Sequence, residues 1–218
     1  MESMEIDEIV KLVKVAVEKE LKQKVDKDIK RIPIEASGRH IHLSERDAEV
    51  LFGERYQFTK MKDLSQPGQY ACKERVRLIG PKGVIDGVIV LGPFRGETQV
   101  ELSLTDARAL GITPILRESG NIKDTPGVLI TNGDRYLKLN EGVIIAKNHI
   151  HMTEEDSRRL NLKDRDRVKV KICSSLRPMV FEDVVVRVSN RFSLNMHIDY
   201  DEANACFLTA DSYGEIYE

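Results

Sequence analysis

Short β-branched runs, each closed off by glycine or proline, dominate this chain and leave little room for helices between them. Val76–Ile79, Val84–Leu91, Thr98–Leu102 and Val128–Thr131 have this texture, and Val168–Ile172, Val180–Val188 and Ser193–Ile198 repeat it in the last third. Gly68, Gly80-Pro81, Gly83, Gly92-Pro93, Gly120 and Pro126-Gly127 punctuate the runs. A doubly wound parallel sheet needs helices of 10 to 15 residues between its strands, and such segments are scarce here. Short helices are expected to begin at Ser44 and Thr105. One longer helix is expected over residues 6–25, where Ile6, Ile9, Val10, Val13, Val17, Leu21 and Val25 recur at steps of three and four. The expectation is a mainly β fold: two small β-barrel domains with short capping α-helices, plus an N-terminal amphipathic helix. A length of 218 residues suits one large domain or two small ones.

An internal repeat supports the two-part reading. His40-Ile41-His42-Leu43-Ser44-Glu45-Arg46-Asp47 aligns with His149-Ile150-His151-Met152-Thr153-Glu154-Glu155-Asp156, at an offset of 109 residues. Ser44 and Thr153 are candidate N-caps, and Asp47 and Asp156 stand three residues on, where a capping carboxylate belongs. Capping explains the hydroxyls and the aspartates. It does not explain why histidines precede both caps.

On a strand, residues i and i+2 share a face, so each His-x-His can offer two imidazoles to one cation. Zinc is the default metal for such a site and takes three or four ligands. Glu101, in a strand pattern with Gln99 on its own face, is the candidate third ligand for His40 and His42. His197, the remaining histidine of five, is the candidate for His149 and His151. An isolated His-x-His is more often just a pair of solvated or hydrogen-bonded histidines, but here the whole octapeptide recurs.

Composition narrows the rest. Lys plus Arg is 34 against 36 Asp plus Glu, a formal net charge of −2 with no basic run, which argues against a general nucleic-acid binder. No stretch of 18 apolar residues suggests a transmembrane helix, and Met1-Glu2-Ser3-Met4-Glu5 does not open like a signal peptide. A cytoplasmic chain is expected. Cys72, Cys173 and Cys206 lie far apart with no Cys-x-x-Cys pair, so they read as free thiols. Tryptophan is absent and aromatics are 6% of residues, which leaves few base-stacking platforms.

Anion-binding candidates are less specific. Leu91-Gly92-Pro93-Phe94-Arg95-Gly96-Glu97-Thr98 is a tight turn carrying one arginine, and a guanidinium grips phosphate bidentately. An ordinary turn with a solvated arginine fits the same residues. Ser37-Gly38 and Ser119-Gly120 suit either phosphate or plain turns, and Arg187 interrupts an apolar strand, so it lies at an edge or faces a polar cavity.

Taken together, His40-Ile41-His42-Leu43-Ser44, Gly92-Pro93-Phe94-Arg95, Glu97 to Ser103 and Asn148 to Thr153 resemble the signature blocks of the PduL-type phosphotransacylases, also called phosphate propanoyltransferases. The resemblance covers about residues 31 to 210. It implies two β-barrel domains, two zinc ions per chain, and acyl transfer between coenzyme A and inorganic phosphate. Carried over, His40, His42 and Glu101 would hold one zinc, and His149, His151 and His197 the other. Arg95 would be catalytic and bind phosphate, with Ser37, Ser119 and Arg187 as further phosphate ligands. Phosphate held by metal and Arg95 would attack the thioester directly, without an acyl-enzyme; no Gly-x-Ser-x-Gly elbow is present. Acetyl and propanoyl chains both remain open.

The expected division is 1–28 for the N-terminal helix, 39–146 for the first barrel, and 29–38 with 147–218 for the second. Residues 6–25 resemble the peptides that dock cargo to bacterial microcompartment shell proteins, and equally suit a helix packed on its own barrel or a second subunit. A homodimer is expected, with no nucleic-acid or membrane partner. The alternatives are a dinuclear-metal thioesterase or phosphatase, and a non-enzymatic binding module in which zinc is structural.

Overall fold

The first strand joins the far end of the chain rather than the half it precedes. In the computed structural model, which describes residues 10–15, 17–18, 31–173 and 176–217, β1 (Ile32–Ser37) pairs in parallel with β14 (Asn195–Asp199) and antiparallel with β15 (Tyr213–Tyr217). With β11 (His149–Met152), β12 (Arg167–Cys173) and β13 (Met179–Val188), these strands close a six-stranded barrel in the order β1-β14-β11-β13-β12-β15. Closure leaves no open edge. Its interior is apolar, built from Ile32, Ile150, Met152, Val170, Ile172, Val184, Val186, Met196 and Ile198.

The remaining strands form a nine-stranded curled sheet. They are β2 (His40–Ser44), β3 (Lys60–Asp63), β4 (Tyr70–Ile79), β5 (Val84–Arg95), β6 (Gln99–Glu101), β7 (Leu116–Arg117), β8 (Val128–Asn132), β9 (Arg135–Leu139) and β10 (Val143–Ala146). The path runs β7-β10-β6-β2-β5-β4-β8-β9, with β3 added against β4. The mainly β reading therefore holds, one unit being a closed barrel and the other a sheet that curls. A second core of Ile41, Leu43, Leu51, Leu78, Val88, Val90, Val100 and Ile130 fills the curl. Each such side chain contributes roughly 1.5–3 kcal/mol by leaving water.

The two repeats occupy matching places. β2 lies between parallel β5 and antiparallel β6; β11 lies between parallel β13 and antiparallel β14. Ile41 and Ile150 point into the two cores, fully buried, so strand alternation turns both flanking histidines the other way. Each strand then runs into a helix, Glu45–Phe52 or Glu154–Leu160, capped by Ser44 or Thr153. The second copy forms the reciprocal box, with Thr153 and Asp156 exchanging both bonds. In the first copy the Asp47 carboxylate reaches Thr98 instead: Thr98 Oγ1 donates to Asp47 at 2.5 Å and accepts from Ser44 N–H at 3.0 Å.

One helix boundary differs from expectation, and another helix is only partly described. The helix placed at Thr105 spans Leu104–Leu110 and is capped by Ser103, whose hydroxyl takes the Asp106 N–H; the Thr105 N–H donates to Asp201. Of the helix expected over 6–25, residues 10–15 and 17–18 are helical with Val10, Val13 and Val17 exposed, and the rest lies outside the described residues. Among the described residues no helix is long and apolar enough to cross a membrane. The cysteines are free, Cys72 and Cys206 buried and Cys173 partly so.

Candidate active site

A cavity of about 440 Å³ opens where the barrel meets the curled sheet. Both His-x-His strands line it. In the β2–β6 ladder His40 stands opposite Glu101 and His42 opposite Gln99; in the β11–β14 ladder His149 stands opposite His197 and His151 opposite Asn195. Glu101 and His197, the two third ligands chosen from the sequence, thus hold equivalent register positions.

The first triad is tight. Ligand atoms of His40, His42 and Glu101 all lie within 4.8 Å of one another, the one group of this kind among the described residues. His40 Nε2 is 3.5 Å from Glu101 Oε2, while its Nδ1 is 2.8 Å from the Gly38 carbonyl. That carbonyl fixes the ring, so the proton sits on Nδ1 and Nε2 faces the carboxylate. Burial alone would raise the Glu101 pKa, but the two imidazoles and Arg95 outweigh it and hold the carboxyl well below the usual range. Burial alone would lower His40, and Glu101 reverses that. His42 is driven down by burial and by His40.

The second triad is looser. Ring centroids of His149, His151 and His197 lie 4.6 to 5.3 Å apart. His149 repeats the anchoring of His40, with Nδ1 2.8 Å from the Lys147 carbonyl. Burial, then the neighbouring imidazoles, push His151 down to about 2 and His197 to about 4. These rings are neutral at ordinary pH, the state a metal needs. His197 is engaged on both sides, Nδ1 3.4 Å from Ser37 Oγ and Nε2 3.4 Å from Gln66 Nε2.

One observation tests whether a metal suits these residues. Among the described residues, the buried Nδ1 atoms of His42 and His151, at matching positions in the two copies, have no hydrogen-bond partner. An unmade bond on a buried polar atom is costly. A cation satisfies it, and two histidines with a carboxylate are an established zinc donor set. The residues fit.

Both arginines expected from the sequence reach the cavity. Arg95 donates to Ser119 Oγ at 3.2 Å; its pKa is lowered by burial, opposed by Glu101 and aided by Arg187. The tight turn expected over Leu91–Thr98 is instead the end of β5, which runs through Gly92-Pro93 to Arg95; Gly92 is required because it stands opposite Tyr70, and a Cβ there would sit 2.4 Å from the Tyr70 ring. Among the described residues Arg187 makes no hydrogen bond or ion pair, and its guanidinium carbon lies 5.9 Å from the Phe192 ring centroid. Ser119 gives its proton to Glu101 Oε1 at 2.9 Å and accepts from Gln99 at 2.8 Å and from Arg95.

Curated relatives decide the family. The sequence profile of the family described as phosphate propanoyltransferase matches residues 33–209. The chain belongs to that family. It is 51% identical over 217 residues to the phosphate propanoyltransferase of Sebaldella termitidis, covering 100% of this chain and 99% of that one. Identity to the same-named protein of Leptotrichia buccalis is 57% over 183 residues, 84% of this chain and 86% of the other. For the Salmonella typhimurium protein it is 48% over 174 residues, 80% and 82% of the two chains. The family is one of acyltransferases, and this chain is an enzyme of that class.

Several functional side chains escape a reading of the sequence. Gln66 and Phe192 come from loops more than 120 residues apart, and meet at the cavity. The turn signal Gln66-Pro67-Gly68 marks a loop but not its destination. Gln99 does carry a signal, since it shares a strand face with Glu101; buried to 2% exposure, it holds Glu101 Oε1 at 2.5 Å and receives the Gly120 N–H at 2.7 Å.

Proposed function

We propose that this chain reversibly transfers a short acyl group between coenzyme A and inorganic phosphate, in the cavity shared by the two His-x-His strands. The observation that carries the reading is the pairing, in one cavity, of two imidazole clusters with two half-buried guanidiniums, Arg95 and Arg187. A phosphate dianion has few better partners than a pair of partly desolvated arginines.

His40, His42 and Glu101 would hold one zinc ion, and His149, His151 and His197 a second. Bound there, zinc supplies Lewis acidity and affinity for a thiolate. Arg95 is the catalytic group: it binds phosphate, strips its water and aims one oxygen at the thioester carbon. Arg187 and Ser37 complete the anion site from the barrel side. Ser119 serves it by holding Arg95 and Glu101 in place. As the oxygen attacks, the carbon–sulfur bond breaks and acyl phosphate and the coenzyme A thiolate result. No acyl-enzyme intervenes.

The proposed division is 1–28 for the N-terminal helix, 39–146 for the first domain, and 29–38 with 147–218 for the second. Residues 6–25 would dock to a microcompartment shell, consistent with the exposed apolar side chains at Val10, Val13 and Val17. A homodimer is the proposed assembly.

Thiol release from propanoyl-CoA, measured with and without phosphate, tests the reading. Transfer requires phosphate; a thioesterase releases thiol without it, and a binding module releases none. Incubation with acyl-CoA alone followed by intact mass measurement should find no acylated protein.

A further inference from the structure

Two cross-strand rows cover the sheet side of the cavity. One runs Glu101–His40–Ile89 across β6, β2 and β5. The other runs Gln99–His42–Leu91–Ala71–Lys62 across β6, β2, β5, β4 and β3. Residues in register across a sheet share a face. That face therefore changes character along the row, from carboxylate and imidazole to Ile89, Leu91 and Ala71, with Leu64 from the β3–β4 turn beside them. Val88 and Val90, the alternate residues of β5, are fully buried on the opposite face.

The barrel side differs at the same two places. There His149 stands beside Val185 and His151 beside Arg187, as His40 and His42 stand beside Ile89 and Leu91. The matched position is thus a guanidinium on one side of the cavity and a leucine on the other.

We propose that Ile89 and Leu91 seat the acyl chain and that Ala71 sets its maximum length. The assignment rests on the acyl-transfer reading, with the thioester carbon at the His40–His42 edge. Neighbouring strands lie about 4.8 Å apart, so Ile89 and Leu91 meet the first carbons beyond the thioester and Ala71 meets a chain one strand longer. The pantetheine arm is the rival occupant. Its two amides would go unpaired over Ile89, Leu91 and Ala71, because the next polar side chain in that row is Lys62, beyond Ala71. The polar lining at Ser37, Arg39, Gln66 and Gln69 suits it better.

The test is phosphate-dependent thiol release with acetyl-, propanoyl-, butanoyl- and hexanoyl-CoA on the full chain, for the native protein and for Leu91→Ala, Ile89→Ala and Ala71→Leu. Ratios of kcat/KM between chain lengths are taken within one preparation, so the folded fraction cancels. Leu91→Ala and Ile89→Ala should each lower the propanoyl-to-acetyl ratio about fourfold, the equivalent of one buried methylene. Ala71→Leu should lower the butanoyl- and hexanoyl-to-acetyl ratios about tenfold or more. Ratios within twofold of native in all three variants would overturn the seat. So would unchanged ratios accompanied by a raised KM for free coenzyme A in the reverse direction, which would assign the strip to pantetheine. A native protein with no phosphate-dependent release at all overturns the acyl-transfer reading itself, a failure distinguishable from loss of the seat alone.

Discussion

Gln66 grips the peptide of Ser193 with both ends of its carboxamide. Ser193 N–H donates to Gln66 Oε1 at 3.2 Å, and Gln66 Nε2 donates to the Ser193 carbonyl at 3.0 Å. Because each end has a partner of fixed polarity, the amide cannot be flipped, and its NH2 faces His197 Nε2 at 3.4 Å. A residue of the curled sheet thereby orders the barrel loop that carries Phe192 beneath His151, ring centroids 4.2 Å apart.

Gln66→Ala is expected to destabilise the chain by about 1–3 kcal/mol, since it leaves the partly buried N–H and C=O of Ser193 without their partners. Urea unfolding followed by circular dichroism measures this. Activity should fall further than stability explains, because His197 loses its neighbour. A variant equal to native in both measurements would remove Gln66 from the site's framework.

Gln99→Leu is expected to loosen Glu101, whose Oε1 it holds, without removing a proposed metal ligand. Partners of this kind are worth roughly 10–100-fold in metal affinity when lost. Competition with a chromogenic chelator gives the number. Glu101→Gln, which deletes the charge itself, should lose more.

Removal of metal should lower both activity and melting temperature. A ligand bound to the folded state alone stabilises it by mass action, about 2.7 kcal/mol at a hundredfold excess over Kd. Chelation followed by gel filtration should abolish phosphate-dependent thiol release, and zinc should restore it at two equivalents per chain. Full activity in a chain shown by elemental analysis to be metal-free would exclude a catalytic metal.

Much of this site was legible because β alternation makes local spacing informative. His40 and His42 share a face whatever the tertiary fold, and so do Gln99 and Glu101. Glu101 is the choice because it shares a strand face with Gln99, and His197 because it is the one histidine left; the ladders supply the pairing itself. What alternation cannot give is register or partner across the halves. Residues 29–38 are expected in the second barrel, but nothing local says that Ile34 pairs in register with Met196, or that Ser65 on the β3–β4 loop donates to Glu35 on β1. The Ser103 cap was missed for a plainer reason: Ser103 and Thr105 are both competent caps, and Asp201 claims the Thr105 N–H only in three dimensions.

Acid should weaken the native chain more than a Glu74→Gln variant. Glu74 Oε1 accepts from Tyr56 Oη and from Thr59 N–H, each at 2.9 Å. Burial would raise its pKa, but the Thr59 and Tyr56 bonds prevail and lower it. A carboxyl lowered in the folded state contributes stability above its unfolded value near 4.5, and loses it as pH falls through the folded one. The stability gap between native and Glu74→Gln should therefore be largest near pH 7 and narrow below about pH 4.5. Urea midpoints across pH 3.5–7.5 would show it, and a gap independent of pH would refute the assignment.

Arg187→Leu would convert the barrel side of the cavity into a copy of the sheet side, because Arg187 and Leu91 hold matching places beside His151 and His42. If phosphate binds between Arg95 and Arg187, the variant should raise the KM for phosphate by tenfold or more and leave the KM for acyl-CoA within about threefold. Loss of a charge-assisted hydrogen bond is worth about 1.5–3 kcal/mol, which corresponds to this range. Arg187→Lys should recover part of the loss, since the charge returns but the planar fork does not. Arg95→Lys should behave differently: Arg95 is proposed to aim the attacking oxygen, so kcat should fall along with phosphate affinity. Equal effects of both arginine variants on kcat and on phosphate KM would show that the two guanidiniums share one role rather than dividing binding from alignment.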